Sequence, residues 1–188
     1  TDTDRSKLSL LCILHDIGKI GIPVEILNKP GKLNDMELKT VRTHVEKGYH
    51  IAVSSKEFCG IADMIKFHHE RWDGKGYPMG LSGESIPLLS RIIAVVDSYD
   101  AMISDRPYRK GMSVKEACEE LRRSAGTQFD PTIAVTFIRM INEDEEYGAM
   151  LTEKNMNELQ DESGTNKNIS DAASQQEREK NALGNNVH

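Results

Sequence analysis

The chain has 188 residues, a formal net charge of -6 and 38% hydrophobic residues, which suits one domain of ordinary size. The acidic balance argues against nonspecific attraction to nucleic acid or to an anionic membrane surface, and no apolar run approaches the roughly 20 residues that a transmembrane helix needs. The three cysteines, Cys12, Cys59 and Cys118, fit neither a zinc-site spacing nor a disulfide framework, and favour small core residues of a cytoplasmic protein.

The first predicted element is a buried helix that covers residues 6–19, SKLSLLCILHDIGK. Asp4 or Ser6 can cap its start. The sequence GIP at residues 21–23 ends it, since proline cannot continue a helix interior. A turn is predicted at Pro30-Gly31.

A second helix is predicted to follow a cap at Asn34 or Asp35. Its apolar residues recur at spacings of three and four: Leu38, Val41, Val45, Tyr49 and Ala52. A third helix is predicted over residues 61–70, before a loop over 72–87 that is rich in glycine and proline.

The second half of the domain is also predicted to be helical. Residues 86–103 form a strongly apolar stretch, Ser113 can cap a helix over 114–126, and a last helix should follow Pro131. No stretch alternates with period two, so we predict an all-α domain.

From residue 142 onward the sequence is polar and has few large apolar side chains. Such a segment cannot bury enough surface to offset the entropy of ordering it. We therefore predict a domain over 1–141 and a mostly disordered tail over 142–188.

Several polar side chains lie on or beside the apolar faces of these predicted helices. They are His15, Asp16, His44, His68, His69 and Asp97. A single histidine on an apolar face is more often a hydrogen-bonded core residue than a ligand, and Asp97 could instead pair with Arg91 or Arg106. An unpaired carboxylate among apolar neighbours would be costly, however.

The number of inward-facing imidazoles and carboxylates favours a metal site over separate core residues. Imidazole and carboxylate together suit iron, manganese or zinc, and the lack of cysteine in the set argues against a structural zinc site. One aspartate among several histidines can bridge two ions, which is a common arrangement for attack on phosphorus.

Five segments resemble the HD-GYP domain, a bacterial branch of the HD phosphohydrolases. They are HDIGKIGIP (15–23), HHERWDGKGYP (68–78), DSYDA (97–101), SDRPYR (104–109) and GTQFDP (126–131). The resemblance covers nearly all of residues 6–141. It implies an all-α HD-domain helical bundle and a cytoplasmic signalling enzyme that hydrolyses cyclic di-GMP to pGpG, and further to GMP, with two or three iron or manganese ions.

The resemblance also implies roles for individual residues. The metal ligands would be His15, Asp16, His44, His68, His69 and Asp97. Asp16 would bridge the ions as a catalytic residue, and Lys19 would contact the scissile phosphate; the alternative for Lys19 is an exposed lysine at a helix end.

A dianionic substrate that approaches an acidic protein needs local positive charge. Arg106, Arg109 and Lys110 can supply it, although the alternative is a solvated turn. Tyr77 could stack on guanine or pack its loop, whereas Trp72 is expected to pack.

The family normally carries a further histidine ahead of the HD pair, and this chain begins after that point, so we expect a bundle that lacks its first helices. Two other functions stay open. The domain could be a non-catalytic module that senses a nucleotide or docks a diguanylate cyclase (GGDEF) partner, or a hydrolase of another nucleotide such as cyclic GMP-AMP.

Overall fold

A computed structural model describes residues 1–105 and 110–144 of the chain. Within these ranges the regular structure is helical and contains no strand, so the predicted all-α class is confirmed. The helices are α1 (Asp2–Leu14), α2 (Val24–Leu27), α3 (Asp35–Arg42), α4 (His44–Val53), α5 (Ala62–Phe67), α6 (Leu88–Ile103), α7 (Val114–Ser124) and α8 (131–144).

Thr1–Arg139 form one compact unit. The predicted tail, 142–188, lies almost wholly outside the described residues, so its disorder and the boundary at 141 stay predictions. Arg106 and Arg109 also lie outside the described residues.

Three helices begin with a capping box, in which the cap side chain and the third helical residue bond each other's backbone amides. The caps at Asn34 and Ser113 were predicted from sequence and are confirmed. The predicted cap of the first helix was wrong, because Thr1 forms a capping box with Asp4 and starts α1 earlier.

Helix α1 ends at Leu14, well before the predicted end at Lys19, and a short 3-10 helix follows over Ile17–Gly21. Gly18 of this 3-10 helix lies so close to α4 that an added Cβ would be 2.8 Å from the carbonyl carbon of His44. Only glycine permits this approach, which brings the end of the HD motif against α4.

The second predicted helix is in fact two helices, α3 and α4, which separate at Thr43. The Thr43 hydroxyl donates a hydrogen bond of 2.7 Å to the Thr40 carbonyl, a local bond that competes with helix continuation. The break makes His44 the first residue of α4.

The third helix, α5, ends at Phe67 rather than at residue 70. His68 and His69 therefore lie in the turn after α5 and not on a helical face, which corrects the prediction. A hydrogen bond of 3.0 Å from the Glu70 amide to the Phe67 carbonyl closes this turn.

The hydrophobic core combines residues of α1, α4, α5 and α6 with the 3-10 helix Cys59–Ile61. Its buried members are Leu11, Ala52, Ile61, Ala62, Ile65, Leu89 and Ile93. Each fully buried leucine or isoleucine contributes about 1.5–3 kcal/mol. This core fixes the helix ends that carry the polar side chains described next.

The expectation that all three cysteines are core residues was wrong for two of them. Cys12 and Cys59 are exposed, and Cys118 is buried. Cys12 follows the fully buried Leu11 on α1, so its side chain leaves the helix about 100° around the axis from the buried position. Among the described residues, no helix is both long enough and apolar enough to cross a membrane.

Candidate metal centre

Three histidines share one local hydrogen-bond pattern, in which ring atom Nδ1 faces the backbone carbonyl three residues earlier. The Nδ1-to-oxygen distances are 3.0 Å for His15 and Cys12, 2.8 Å for His44 and Val41, and 2.7 Å for His68 and Ile65. A carbonyl oxygen only accepts, so Nδ1 carries a hydrogen, and Nε2 carries the lone pair whenever the ring is neutral. Metal-binding histidines are oriented by such a bond from the other ring nitrogen.

The Nε2 atoms of these histidines are buried and have no hydrogen-bond partner among the described residues, and the same is true of Asp16 Oδ1. A buried polar atom without a partner costs roughly 1–3 kcal/mol. Four such atoms would together lower the stability of the folded state, whereas each would be satisfied as a ligand of a cation. This donor set therefore fits a divalent metal ion.

Four residues can each direct one ligand atom to a common point: Asp16, His44, His68 and His69. These atoms all lie within 4.8 Å of one another. The rings of His68 and His69 are 4.0 Å apart between centroids, and those of His44 and His69 are 5.1 Å apart. Residues far apart in the sequence thus converge, as predicted.

A second group shares Asp16 with the first. His15 Nε2 lies 3.4 Å from Asp16 Oδ2 and 3.6 Å from Asp97 Oδ1, while Asp16 Oδ1 lies 3.3 Å from His44 Nε2. These are ion-pair separations without hydrogen-bond geometry, because the Nε2 atoms stay unpartnered. Asp16 faces both groups with its two oxygens, which is the placement that a bridging carboxylate requires.

Burial keeps most of the imidazoles neutral. It lowers the pKa of His68 to about 4 and that of His69 to about 3, and it also lowers the pKa of His44. These rings therefore carry free lone pairs at neutral pH. His15 differs, since the adjacent Asp16 and Asp97 carboxylates raise its pKa to about 10, and metal binding would displace that proton.

The carboxylates of the site are ionised. Burial opposes ionisation of Asp16, but the adjacent His15 and the hydrogen bond from Lys19 outweigh it and hold the pKa of Asp16 below its usual range. The neighbouring His15 likewise lowers the pKa of Asp97 against the effect of burial. Both aspartates can thus offer negative charge to a cation.

Lys19 lies beside this cluster, as predicted, with its Nζ 2.5 Å from Asp16 Oδ2. It arrives there on the 3-10 helix rather than on α1, although residue 19 was predicted to end the first helix. Lys47 of α4 donates a hydrogen bond of 2.6 Å to the Gly21 carbonyl and ties down the end of the 3-10 helix.

The GYP loop folds back over the histidine pair. The Tyr77 amide donates to the His69 carbonyl at 3.3 Å, and the Tyr77 ring lies 5.0 Å from the His69 ring at an interplanar angle of 31°. A Cβ at Gly76 would lie 2.5 Å from Glu70 Cα, so glycine is required where the loop crosses its own start. Gly74, with φ +74°, makes the turn before it.

Glu70 anchors this loop, a role that the sequence analysis missed. Its side chain is buried, and its two oxygens accept hydrogen bonds from the amides of Met79 and Leu81 at 2.7 and 3.0 Å. The signal in the sequence is a glutamate directly after two histidines and before a glycine-rich loop, because a buried carboxylate needs hydrogen-bond donors and the amides of such a loop can supply them.

Trp72 and Arg91 belong to the support of the site. The Arg91 guanidinium lies 5.8 Å from the Trp72 ring, which agrees with a packing role for Trp72. Arg91 pairs with Asp130 at 2.6 Å, so the alternative in which it pairs with Asp97 is wrong.

The predicted phosphate-binding turn is described only in part. Lys110 is exposed, and the arrangement of the candidate metal ligands described above does not involve it. One further cation was missed: Arg42, at the exposed end of α3, lies with its Cζ 5.0 Å from the centre of the Tyr77 ring.

Two cavities lie near these helices. One of about 740 Å³ opens between α1 and α6 and is lined by Leu8, Met64 and Ile92, among others, without any of the histidines. A smaller one of about 200 Å³ touches His68, His69 and Asp97. The smaller cavity is the better candidate site, because it is lined by His68, whose Nε2 is unpartnered, and by His69 and Asp97, whereas the larger one touches none of these residues.

The model of the HD domain family matches residues 1–133, and the chain belongs to this family. This membership agrees with the helical fold and with the paired His15 and Asp16, and it confirms the family that the motifs resembled.

Two curated relatives of the chain are named as phosphodiesterases of cyclic dinucleotides. The chain is 45% identical over 130 residues to a cyclic di-GMP phosphodiesterase of Pseudomonas aeruginosa, covering 69% of this chain and 31% of the relative. It is 37% identical over 142 residues to the 3'3'-cGAMP-specific phosphodiesterase 3 of Vibrio cholerae, covering 76% of this chain and 31% of the relative. The chain thus spans about a third of the length of these relatives.

A crystal structure of a cyclic GMP-AMP specific phosphodiesterase of Vibrio cholerae has a similar fold. The TM-score is 0.58 at 20% sequence identity, and the match covers 76% of this chain and 39% of the other. This likeness supports the helical bundle.

Proposed function

We propose that this chain is the catalytic domain of a metal-dependent phosphodiesterase that hydrolyses cyclic di-GMP to pGpG, and further to GMP. The observation that carries the proposal is the convergence of four buried, unpartnered donor atoms beside Lys19. The substrate is taken from the relative that is 45% identical. A module that only binds nucleotide has no need for such a donor set.

The proposed site holds two ions. One would be held by Asp16, His44, His68 and His69, and the other by His15, Asp16 and Asp97, with Asp16 shared. Nitrogen and carboxylate donors without thiolate favour iron or manganese, and a third ion would need further ligands.

Bound metal ions supply a Lewis acid and a water molecule that is ionised near neutral pH. Lys19 would contact a non-bridging phosphate oxygen and offset the negative charge that develops there. The net reaction adds water across one phosphodiester, which leaves a phosphate on one product end and a hydroxyl on the other. Tyr77 would close the side of the site next to His69.

Cyclic GMP-AMP is the second candidate substrate, and the relative named as specific for 3'3'-cGAMP favours it. Both nucleotides present the same paired phosphodiesters, so the metal cluster alone does not discriminate between them. A diguanylate cyclase partner, a cytoplasmic location and phosphate binding by Arg106, Arg109 and Lys110 remain parts of the proposal.

The test is anaerobic metal loading followed by turnover of cyclic di-GMP and of cyclic GMP-AMP. We expect two transition-metal ions per chain and hydrolysis of cyclic di-GMP. Asp16→Ala should lower metal content and abolish turnover, because both groups lose their shared ligand. Asp63→Ala, at an exposed position on α5, is the matched control and should behave as wild type. Full turnover by Asp16→Ala would contradict the mechanism.

A further inference from the structure

Arg42 is positioned one aromatic ring away from the candidate metal ligands. Two successive steps of 5.0 Å connect them, the first from Arg42 Cζ to the centre of the Tyr77 ring and the second from that ring to the ring of His69. His69 is one of the four residues that converge on a common point. The guanidinium therefore lies beside the candidate ligands, with the Tyr77 ring between it and His69.

The hydrogen-bonding capacity of Arg42 is not used within the described part of the protein. Its Cζ lies 5.0 Å from the centre of the Tyr77 ring in a cation-π contact, and within that part of the protein no hydrogen bond or ion pair takes up its five N–H donors. Other basic side chains around the site are engaged by oxygen atoms: Lys19 by Asp16, Lys47 by Gly21 and Arg71 by Asp73.

The same contact changes the expected role of Tyr77. The His69 ring and the Arg42 guanidinium each lie 5.0 Å from the centre of the Tyr77 ring, so two protein groups already contact this ring. Tyr77 instead holds the guanidinium in place. A fixed, exposed guanidinium is suited to an anion with several oxygens, since its fork of donors matches phosphate geometry.

We infer that Arg42 binds the second, non-scissile phosphodiester of the cyclic dinucleotide. This inference rests on the proposed function, in which the first phosphodiester lies at the metal cluster beside Lys19. The two phosphodiesters belong to one small macrocycle, so fixing one at the cluster holds the other nearby. Arg42 is a cation in reach of the cluster whose donors are available for it.

The test compares two substrates in metal-loaded protein. Cyclic di-GMP has two phosphodiesters, and bis(p-nitrophenyl) phosphate has one. For Arg42→Gln we expect KM for cyclic di-GMP to rise on the order of tenfold or more, the effect of one charge-assisted hydrogen bond, with a much smaller change for the one-phosphate substrate. Lys39→Gln removes the same charge from an exposed position on α3 and is the matched control.

Ionic strength distinguishes phosphate binding from recognition of a base. Added salt should raise KM for cyclic di-GMP in wild type and in Lys39→Gln, and this dependence should be weaker in Arg42→Gln, because screening acts on the lost charge pair. A rise of KM in Arg42→Gln with an unchanged salt dependence would point to a contact with guanine and overturn the inference. An equal rise of KM for both substrates, or no rise, would also overturn it. A wild-type protein that turns over the one-phosphate substrate but not cyclic di-GMP would instead refute the proposed substrate.

Discussion

Replacement of Gly18 by alanine tests whether the site depends on the close approach of the 3-10 helix to α4. An added Cβ would lie 2.5 Å from the Gly48 amide nitrogen, and closer still to the His44 carbonyl oxygen. Heavy atoms reach favourable contact only near ~3.5 Å, so the backbone would have to separate by more than about 1 Å. The neighbours that it meets are backbone atoms, which cannot be relieved by a side-chain rotation.

The expected cost of Gly18→Ala lies at the upper end of the range for overpacking, about 3 kcal/mol. For a chain of this size, such a loss lowers Tm by roughly 6–12 °C. The separation would also move Asp16 away from His44, so metal content and turnover should fall together. Differential scanning calorimetry and metal analysis measure these two effects.

The matched control is Gly60→Ala. Gly60 lies in the 3-10 helix Cys59–Ile61, and the nearest atom to an added Cβ is the flexible end of Lys7 at 3.7 Å. This variant should keep the wild-type Tm and metal content. If Gly18→Ala also kept both, the close approach would not hold the site together, and our reasoning about the 3-10 helix would be refuted.

Two further predictions concern the loop and the metal. Glu70→Gln should lower the free energy of unfolding in urea by about 1–3 kcal/mol, because a side-chain amide cannot accept hydrogen bonds from both Met79 and Leu81 as the carboxylate does. A free energy of unfolding equal to that of wild type would show that these bonds do not hold the loop. Removal of metal by a chelator should lower Tm, since an ion at 100 times its Kd stabilises the folded state by about 2.7 kcal/mol; a Tm that does not respond to metal would argue against the centre.

The sequence predicted the helical class better than it predicted the helix ends, and the roles of the site residues stay predictions. The cap at Asn34 depends on neighbours in the chain, and this prediction is confirmed, whereas the spacing of apolar residues over 38–52 did not reveal the break at Thr43. The end of α1 at Leu14 depends on contact between Gly18 and α4, which no local pattern displays. The end of α5 at Phe67 likewise depends on the loop that folds back over it.

Among the polar residues, too, some are recognisable from the sequence alone and others only from their partners in the fold. The histidines and aspartates could be predicted because they interrupt apolar patterns and stand in recognisable motifs. Glu70 and Arg42 could not, because their roles come from partners that the fold supplies: backbone amides of the GYP loop for Glu70, and the ring of Tyr77 for Arg42.

The carbonyls of Cys12, Val41 and Ile65 each orient one histidine ring of the candidate metal centre from within the same turn of chain. The tautomer of each of these three imidazoles is set by a carbonyl within its own turn of chain, whereas their charge depends on burial and on neighbouring carboxylates. Folding must then bring three short segments together, and the ring nitrogen that each of these histidines offers to a metal does not wait for that event.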